Sequence, residues 1–307
     1  MFSYRHAFHA GNHADVLKHV TLLALLNYLT QKDKALAIID THAGAGLYRL
    51  DGDYSQTSGE AGEGVLKLAA HLAAEPAAAQ ALAPALANYL ALLGSLNPGF
   101  APGQPGTLKV YPGSPWLAAQ FLEGRHRLKL FELHPSDFRA LSGNMAQLEL
   151  GRAVSCQQQD GFESLKPLLP PPSRRALVLC DPSYEIKSDY ARVAAVLGEA
   201  LQRFATGTYA VWYPLIPRPE AHDLPKKLRT LANRAGRPWL DATLTVKGSK
   251  LQTTAEGQVI RPGLPASGMF IVNPPYTLHA ELKEALPQLA QWLGQDRHAG
   301  FALAQGG

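Results

Sequence analysis

Between His13 and Thr30 the apolar residues Val16, Leu17, Val20, Leu23, Leu26 and Leu29 recur at helical spacing, with Asp15, Lys18 and His19 near the start of the run. After it the period changes to short apolar runs. Ala35–Asp40, Arg127–Glu132, Ala153–Gln159 followed by Asp160-Gly161, and Arg175–Asp181 each read as a buried strand closing on an acid. Helices fall between them, near Trp116–Glu123, from His134, and near Phe162–Leu169. A helix near Tyr190–Phe204 leads to a strand at Thr208–Pro214 and a basic helix carrying Lys226, Lys227, Arg229 and Arg234. Leu240–Val246, a Gly/Pro/basic loop from Lys247 to Gly268, the strand Met269–Asn273 and a terminal helix complete the chain. The pattern predicts an α/β fold, a doubly wound, mostly parallel sheet of seven strands with a late hairpin.

One segment interrupts the alternation. Residues 51–107 are alanine-rich and broken by Pro76, Pro84, Pro98, Pro102 and Pro105, which predicts short helices. The expected organisation is therefore a main domain from residues 1–50 and 108–307, with 51–107 as an inserted helical subdomain. The insert carries Asp51, Asp53, Glu60, Glu63 and Glu75 against Lys67, so it is a poor surface for nucleic acid. Of the 29 basic and 25 acidic residues in the chain, 28 and 20 lie outside it. That remainder, at +8, suits a polyanionic partner.

Length and composition, 307 residues with 46% hydrophobic and 18% charged, describe a globular protein that can bury a full core. No apolar run approaches the ~20 residues that span a bilayer, and the start lacks a signal peptide's apolar core, so a cytoplasmic protein with no membrane partner is expected. Cys156 and Cys180 fall in separate strands, which argues against a disulfide scaffold or a thiolate metal cluster. His9 and His13 are four apart but lack the Glu of a His-Glu-x-x-His motif, and no metal is expected. With no exposed heptad or long apolar edge, the expected state is a monomer.

Two turns carry the chemistry. The first strand runs into Thr41-His42-Ala43-Gly44-Ala45-Gly46, whose glycines allow a sharp turn and close approach to a ligand. Arg49 stands where a dinucleotide fingerprint needs a small residue, and no Gly-Lys-Ser/Thr follows for a P-loop. The central strand ends in Asp181-Pro182-Ser183-Tyr184, which offers a carboxylate, a carbonyl held outward by proline, and a ring able to stack on a base. These groups suit an exocyclic amine. An ordinary capped turn is the alternative. A parallel sheet would collect Asp40, Glu132, Asp160 and Asp181 along one edge, where open α/β sheets bind ligands. Acids there suit ribose hydroxyls, an adenine amine and a positive charge, all present in S-adenosylmethionine; helix caps are again the alternative.

The glycine turn resembles the cofactor loop of class I methyltransferases, which have a Rossmann-like fold, and Asp181–Tyr184 resembles their amino-methylating motif, Asp/Asn-Pro-Pro-Tyr. The resemblance narrows with Ser3–His19, Tyr111-Pro112-Gly113-Ser114-Pro115, Glu132–Asp137 and Arg203–Ala210. Together these are similar to the RlmJ family of 23S ribosomal RNA adenine-N6 methyltransferases, from Met1 to the terminal helix, with the insert least similar. The resemblance implies that His19, His42, Ser114, Glu132, Asp160, Gly161 and Asp181 line an S-adenosylmethionine site. It implies that Asp181, Pro182 and Tyr184 act on the adenine, that Tyr4 lies close to the substrate nucleotide, and that 23S rRNA, deproteinised or at an early assembly stage, is the partner. DNA adenine methylation and RNA binding without catalysis are the competing readings.

The chain departs from the motif at Ser183, where a second proline is usual. Asn273-Pro274-Pro275-Tyr276 matches it letter for letter, yet follows a last strand expected to run antiparallel and deliver it to the wrong edge.

Overall fold

The structure is a computed structural model of the chain and describes residues 6–52, 59–249, 252–253, 259–260 and 263–307. Its helices are α1 (His13–Leu29), α2 (Val65–Ala74), α3 (Pro76–Gln80), α4 (Pro84–Leu96), α5 (Ser114–Ala119), α6 (Pro135–Ala146), α7 (Gly161–Leu165), α8 (Ser188–Arg203), α9 (Pro219–Arg234) and α10 (Leu278–Leu293). The strands are β1 (Ala37–Asp40), β2 (Leu47–Arg49), β3 (Val110–Pro112), β4 (Arg127–Phe131), β5 (Val154–Gln157), β6 (Ala176–Cys180), β7 (Thr208–Leu215), β8 (Trp239–Thr245), β9 (Gln252–Thr253), β10 (Val259–Ile260), β11 (Ala266–Val272) and β12 (Gly300–Gly306).

The main sheet has the order β12-β8-β11-β7-β6-β1-β4-β5. From β7 to β5 every pairing is parallel, and β11 runs antiparallel to both β7 and β8. Helices on both faces bury two apolar clusters, one centred on α1 and one on β6, α8 and α9. The parallel strands read as apolar runs because both faces are covered: all five residues of β6 are buried. No described helix is long and apolar enough to cross a membrane.

The expected seven strands become eight. β12 pairs with β8 from Gly300↔Thr245 to Gly306↔Trp239, yet it follows the helix that was expected to end the fold. Its side chains are half-buried or exposed, so backbone pairing, which leaves no apolar pattern, holds it in place. β2 and β3 form a separate two-stranded ribbon that brackets the region 51–107. Within that region α2 and α4 share the apolar cluster of α1 and α10 through Leu68, Leu72, Leu86 and Leu90.

α1 is buried around its whole circumference from His13 to Leu26, and Asn12 caps it by accepting from Ala14 N and Asp15 N. A helix buried all round normally excludes charge. Here His13, Asp15, Lys18 and His19 are all at most 4% exposed. Their cost must be met by partners, and those of Lys18 lead to the site.

Candidate active site

Lys18 connects α1 to the carboxyl end of β6. Its Nζ donates to Asp181 Oδ2 and lies 2.7 Å from Asp15 Oδ1. Asp15 Oδ2 in turn accepts from Gly11 N at 2.9 Å and lies 3.0 Å from His6 Nε2. Burial alone would raise the Asp15 carboxyl, but the charges of His6 and Lys18 hold it well below the usual carboxylate range. Burial likewise works against the Lys18 ammonium, and the two carboxylates overcome it and raise its pKa. A buried ion network of this kind persists only where each member is multiply paired. Asp181 Oδ1 has no hydrogen bond among the described residues.

The glycine turn lies beside it. Gly44 has φ +61°, and a Cβ there would lie 2.2 Å from Tyr48 Oη, so both backbone and space demand glycine. Its N–H donates to Glu132 Oε2 at 2.8 Å, while His134 N donates to Glu132 Oε1 at 2.7 Å, and burial raises the Glu132 pKa. Asp40 is 2% exposed and accepts from Ser114 Oγ at 2.6 Å and His42 N at 3.1 Å. Burial pushes its pKa up to about 6. Asp40 therefore ties the glycine turn to the start of α5, and Ser114 spends its hydroxyl there.

His42 packs edge-on against Phe162 with ring centroids 4.7 Å apart, and burial drives its pKa down to about 4. His19 is fully buried, shares a hydrogen bond of 2.9 Å with Tyr111 Oη, and falls to about 3 for the same reason. Its Nε2 has no partner among the described residues. A buried ring nitrogen without a partner costs about 1–3 kcal/mol, which a ligand atom can repay. Asp160 lies three residues beyond β5 and caps α7 by accepting from Phe162 N at 2.9 Å. Its other oxygen pairs with Arg192 at 2.8 Å, and the Arg192 guanidinium lies 4.4 Å above the Phe162 ring. Gly161 has no room for a side chain, because a Cβ would lie 1.9 Å from Thr41 O.

One cavity of about 720 Å³ joins these groups, and His19, His42, Ser114, Glu132, Asp160, Gly161, Asp181, Pro182 and Ser183 all line it. The size suits a drug-sized or nucleotide-sized ligand. Tyr184 departs from the expectation that its ring would face a base. It is 3% exposed, turned between Tyr190 and Trp212 at centroid distances of 4.6 and 5.8 Å, and its Oη donates to Trp212 O at 2.7 Å. An aromatic ring with a satisfied hydroxyl gains more from the core than from solvent. Asp40 is a second correction, an anchor behind the wall rather than part of it. Tyr4 lies outside the described residues.

Lys18, Arg192 and Arg218 line the same cavity and were not singled out from the sequence. No sequence signal marked Lys18, because only the burial of α1 on every side shows that its charge needs buried partners. Asn273 N donates to Pro238 O, before β8, and Asn273 Nδ2 donates to Ala205 O and Gly207 O, before β7. The second Asn-Pro-Pro-Tyr motif therefore sits at the opposite edge of the sheet, as its antiparallel strand implied.

A glycine turn after β1, acids at the next strand ends and an Asp-Pro-x-Tyr turn after β6 define a Rossmann-like class I methyltransferase. The family described as "Ribosomal RNA large subunit methyltransferase D, RlmJ" matches residues 33–303, and the chain belongs to it. It is 39% identical over 293 residues to Ribosomal RNA large subunit methyltransferase J of Haemophilus influenzae, covering 95% of this chain and 94% of that protein. The Escherichia coli protein of the same name is 37% identical, with 94% and 93% covered. A crystal structure of a Legionella pneumophila protein shares the fold, with TM-score 0.79, 31% identity and coverage of 97% and 98%.

Proposed function

We propose that the protein transfers a methyl group from S-adenosylmethionine to the N6 amine of an adenine in 23S ribosomal RNA. The observation that carries this is Asp181, fixed by Lys18 through one oxygen and open through the other, in a cavity shared with Glu132 and Asp160. The family relatives, named for ribosomal RNA methylation, supply the substrate class.

The residues present fit the cofactor. Glu132 can accept from ribose hydroxyls, Asp160 can accept from an adenine amine, and the unpartnered Nε2 of His19 awaits a polar atom. His42 and Phe162 offer ring faces and edges beside Asp160. When bound, S-adenosylmethionine supplies a methyl group made electrophilic by its sulfonium.

The N6 lone pair of adenine is delocalised into the ring and is a poor nucleophile until its hydrogens are held. Asp181 Oδ1 and the Pro182 carbonyl accept those hydrogens, which pyramidalises N6 and aims its lone pair. Lys18 keeps the carboxylate from rotating. The acceleration comes from positioning and electrostatic complementarity, with no covalent enzyme intermediate. The N6 proton becomes strongly acidic as the new bond forms and leaves through Asp181 to solvent. To reach the cavity the adenine must be unpaired or flipped, which favours rRNA that is deproteinised or early in assembly.

The test is transfer of labelled methyl to unmodified 23S rRNA, with duplex DNA in parallel, followed by nucleoside chromatography. N6-methyladenosine from RNA alone, abolished by Asp181→Ala, is the expected result. Methylated DNA, or no methylated RNA, would sink the proposal.

A further inference from the structure

The cavity that receives the adenine is a poor place to hold a polyanion. Carboxylates of Glu132, Asp137, Asp160, Asp181, Glu185 and Asp189 line it against the cations of Lys18, Arg192 and Arg218. Phosphate contacts supply a large share of nucleic-acid affinity. The attraction must therefore come from elsewhere on the molecule.

The opposite edge of the sheet has the reverse character. Lys32 and Lys34 follow α1, Arg125 precedes β4, and Arg174 and Arg175 lead into β6. Lys32, Lys34, Arg125 and Arg174 are exposed. Lys32, Asp33, Lys34, Ser173, Arg174 and Arg175 line one depression, and its acid, Asp33, is engaged by Arg125 at 2.8 Å. Arg175 has a structural explanation, since its guanidinium donates to Lys34 O and to Leu29 O at the carboxyl end of α1, where a cation is favoured. That explanation does not extend to the exposed cations. Burial and the neighbouring Arg125 push the Arg175 pKa down, so the crowding is felt. Like charges gathered with few matching acids form an arrangement that a polyanion relieves.

An aromatic pair adjoins them. Tyr276 is 84% exposed and meets Tyr28 edge-on, with centroids 5.5 Å apart. Tyr28 immediately precedes Leu29, whose carbonyl takes Arg175, so rings and cations share the carboxyl end of α1. Tyr276 is also the last residue of the Asn-Pro-Pro-Tyr motif that the catalytic cavity does not use. Between the two edges runs α9, which follows Arg218 at the cavity and ends at Arg234, with Lys226, Lys227 and Arg229 exposed along it.

We propose that this edge is a second RNA-binding surface, at which Lys32, Lys34 and Arg174 take backbone phosphates and Tyr276, braced by Tyr28, stacks on an unpaired base away from the methylated nucleotide. Cationic tracks interleaved with exposed rings are how single-stranded RNA is held without sequence preference. The inference rests on ribosomal RNA being the substrate.

The test compares the wild-type protein with Tyr276→Ala and with the triple variant Lys32→Ala/Lys34→Ala/Arg174→Ala. Each is assayed on two RNAs bearing the same target adenine, a long 23S fragment and a short hairpin that fills the cavity alone. On the long fragment KM is expected to rise about tenfold in each variant, with kcat unchanged, as loss of one stacked base or a few phosphates implies. On the short hairpin both constants should stay at wild-type values. For the triple variant the slope of log Kd against log salt on the long fragment should flatten by about 2–3, the share of three phosphate contacts. Unchanged KM on the long fragment, or equal losses on both RNAs, would overturn the surface. Binding is read by fluorescence anisotropy without turnover. A wild-type protein that methylated neither RNA would defeat the function above, while the binding comparison would still decide this inference.

Discussion

Lys18 holds two carboxylates at once, which makes its removal informative. Lys18→Met keeps the length of the side chain and leaves the buried Asp15 and the half-buried Asp181 without their shared cation. Breaking a buried pair costs about 3–5 kcal/mol, so the melting temperature should fall by several degrees. Methyl transfer should fall at least a hundredfold, on the order of what a lost positioning group costs. Partial recovery of stability in Lys18→Met/Asp15→Asn, with turnover still low, would separate the structural role from the catalytic one. A Lys18→Met protein with wild-type kcat would show that Asp181 needs no brace. At this scale the sequence disclosed the site unevenly. Asp181 and Glu132, which line the cavity, were marked by their places at strand ends, and His19, which also lines it, by the family resemblance alone. Lys18 was not, because a single lysine in an amphipathic reading of α1 looks like a solvated residue until the helix is found to be buried all round. Tyr184 misled for the converse reason, since a motif shows which ring is present but not which way it turns.

Among the elements, β11 decides which of two similar motifs lies at the cavity. Its antiparallel run carries Asn273 to the edge away from the cavity, where the side chain satisfies two carbonyls of the turn before β7. Asn273→Ala should therefore lower stability by about 1–3 kcal/mol through unsatisfied carbonyls, and leave kcat within twofold of wild type. Chemical denaturation and the methyl-transfer assay, run side by side, would check this; a large loss of kcat in a folded variant would contradict the assignment of Asp181–Tyr184 as the acting motif. The central parallel strands were legible from apolar runs because both of their faces are covered, most completely at β6. β12 was not, because it is held by backbone pairing at an edge where side chains carry little pattern; the β2–β3 ribbon was not, because strands of three residues are too short to show a period.

For the whole molecule the buried histidines set a pH limit. His19 and His42 lie near 3 and 4 in the folded chain against an ordinary value of 6.5, so the unfolded chain binds protons first as pH falls. Their contribution is complete above pH 6.5 and is lost on acidification toward the folded values. At pH 5 the loss is about 2 kcal/mol for each histidine. Asp40, raised to about 6, acts in the opposite sense: the folded state takes its proton first and returns about 1 kcal/mol by pH 5. The net expectation is a melting temperature that drops several degrees between pH 7 and pH 5, measured by calorimetry in buffers of equal ionic strength. In His42→Asn the same pH change should cost less, and an identical pH dependence in that variant would remove His42 from the account.

α1 has one end in each of the two regions described. Its first turns place Lys18 and His19 in the cavity, and its last turn presents Tyr28 and the Leu29 carbonyl to the far edge. At 17 residues it is a stiff rod about 25 Å long, packed on all sides and free of proline. A substrate touching both ends is thereby measured. The enzyme would select an adenine by its separation from a second feature of the RNA, and helix length, invisible to any inspection of the cavity, would act as the ruler.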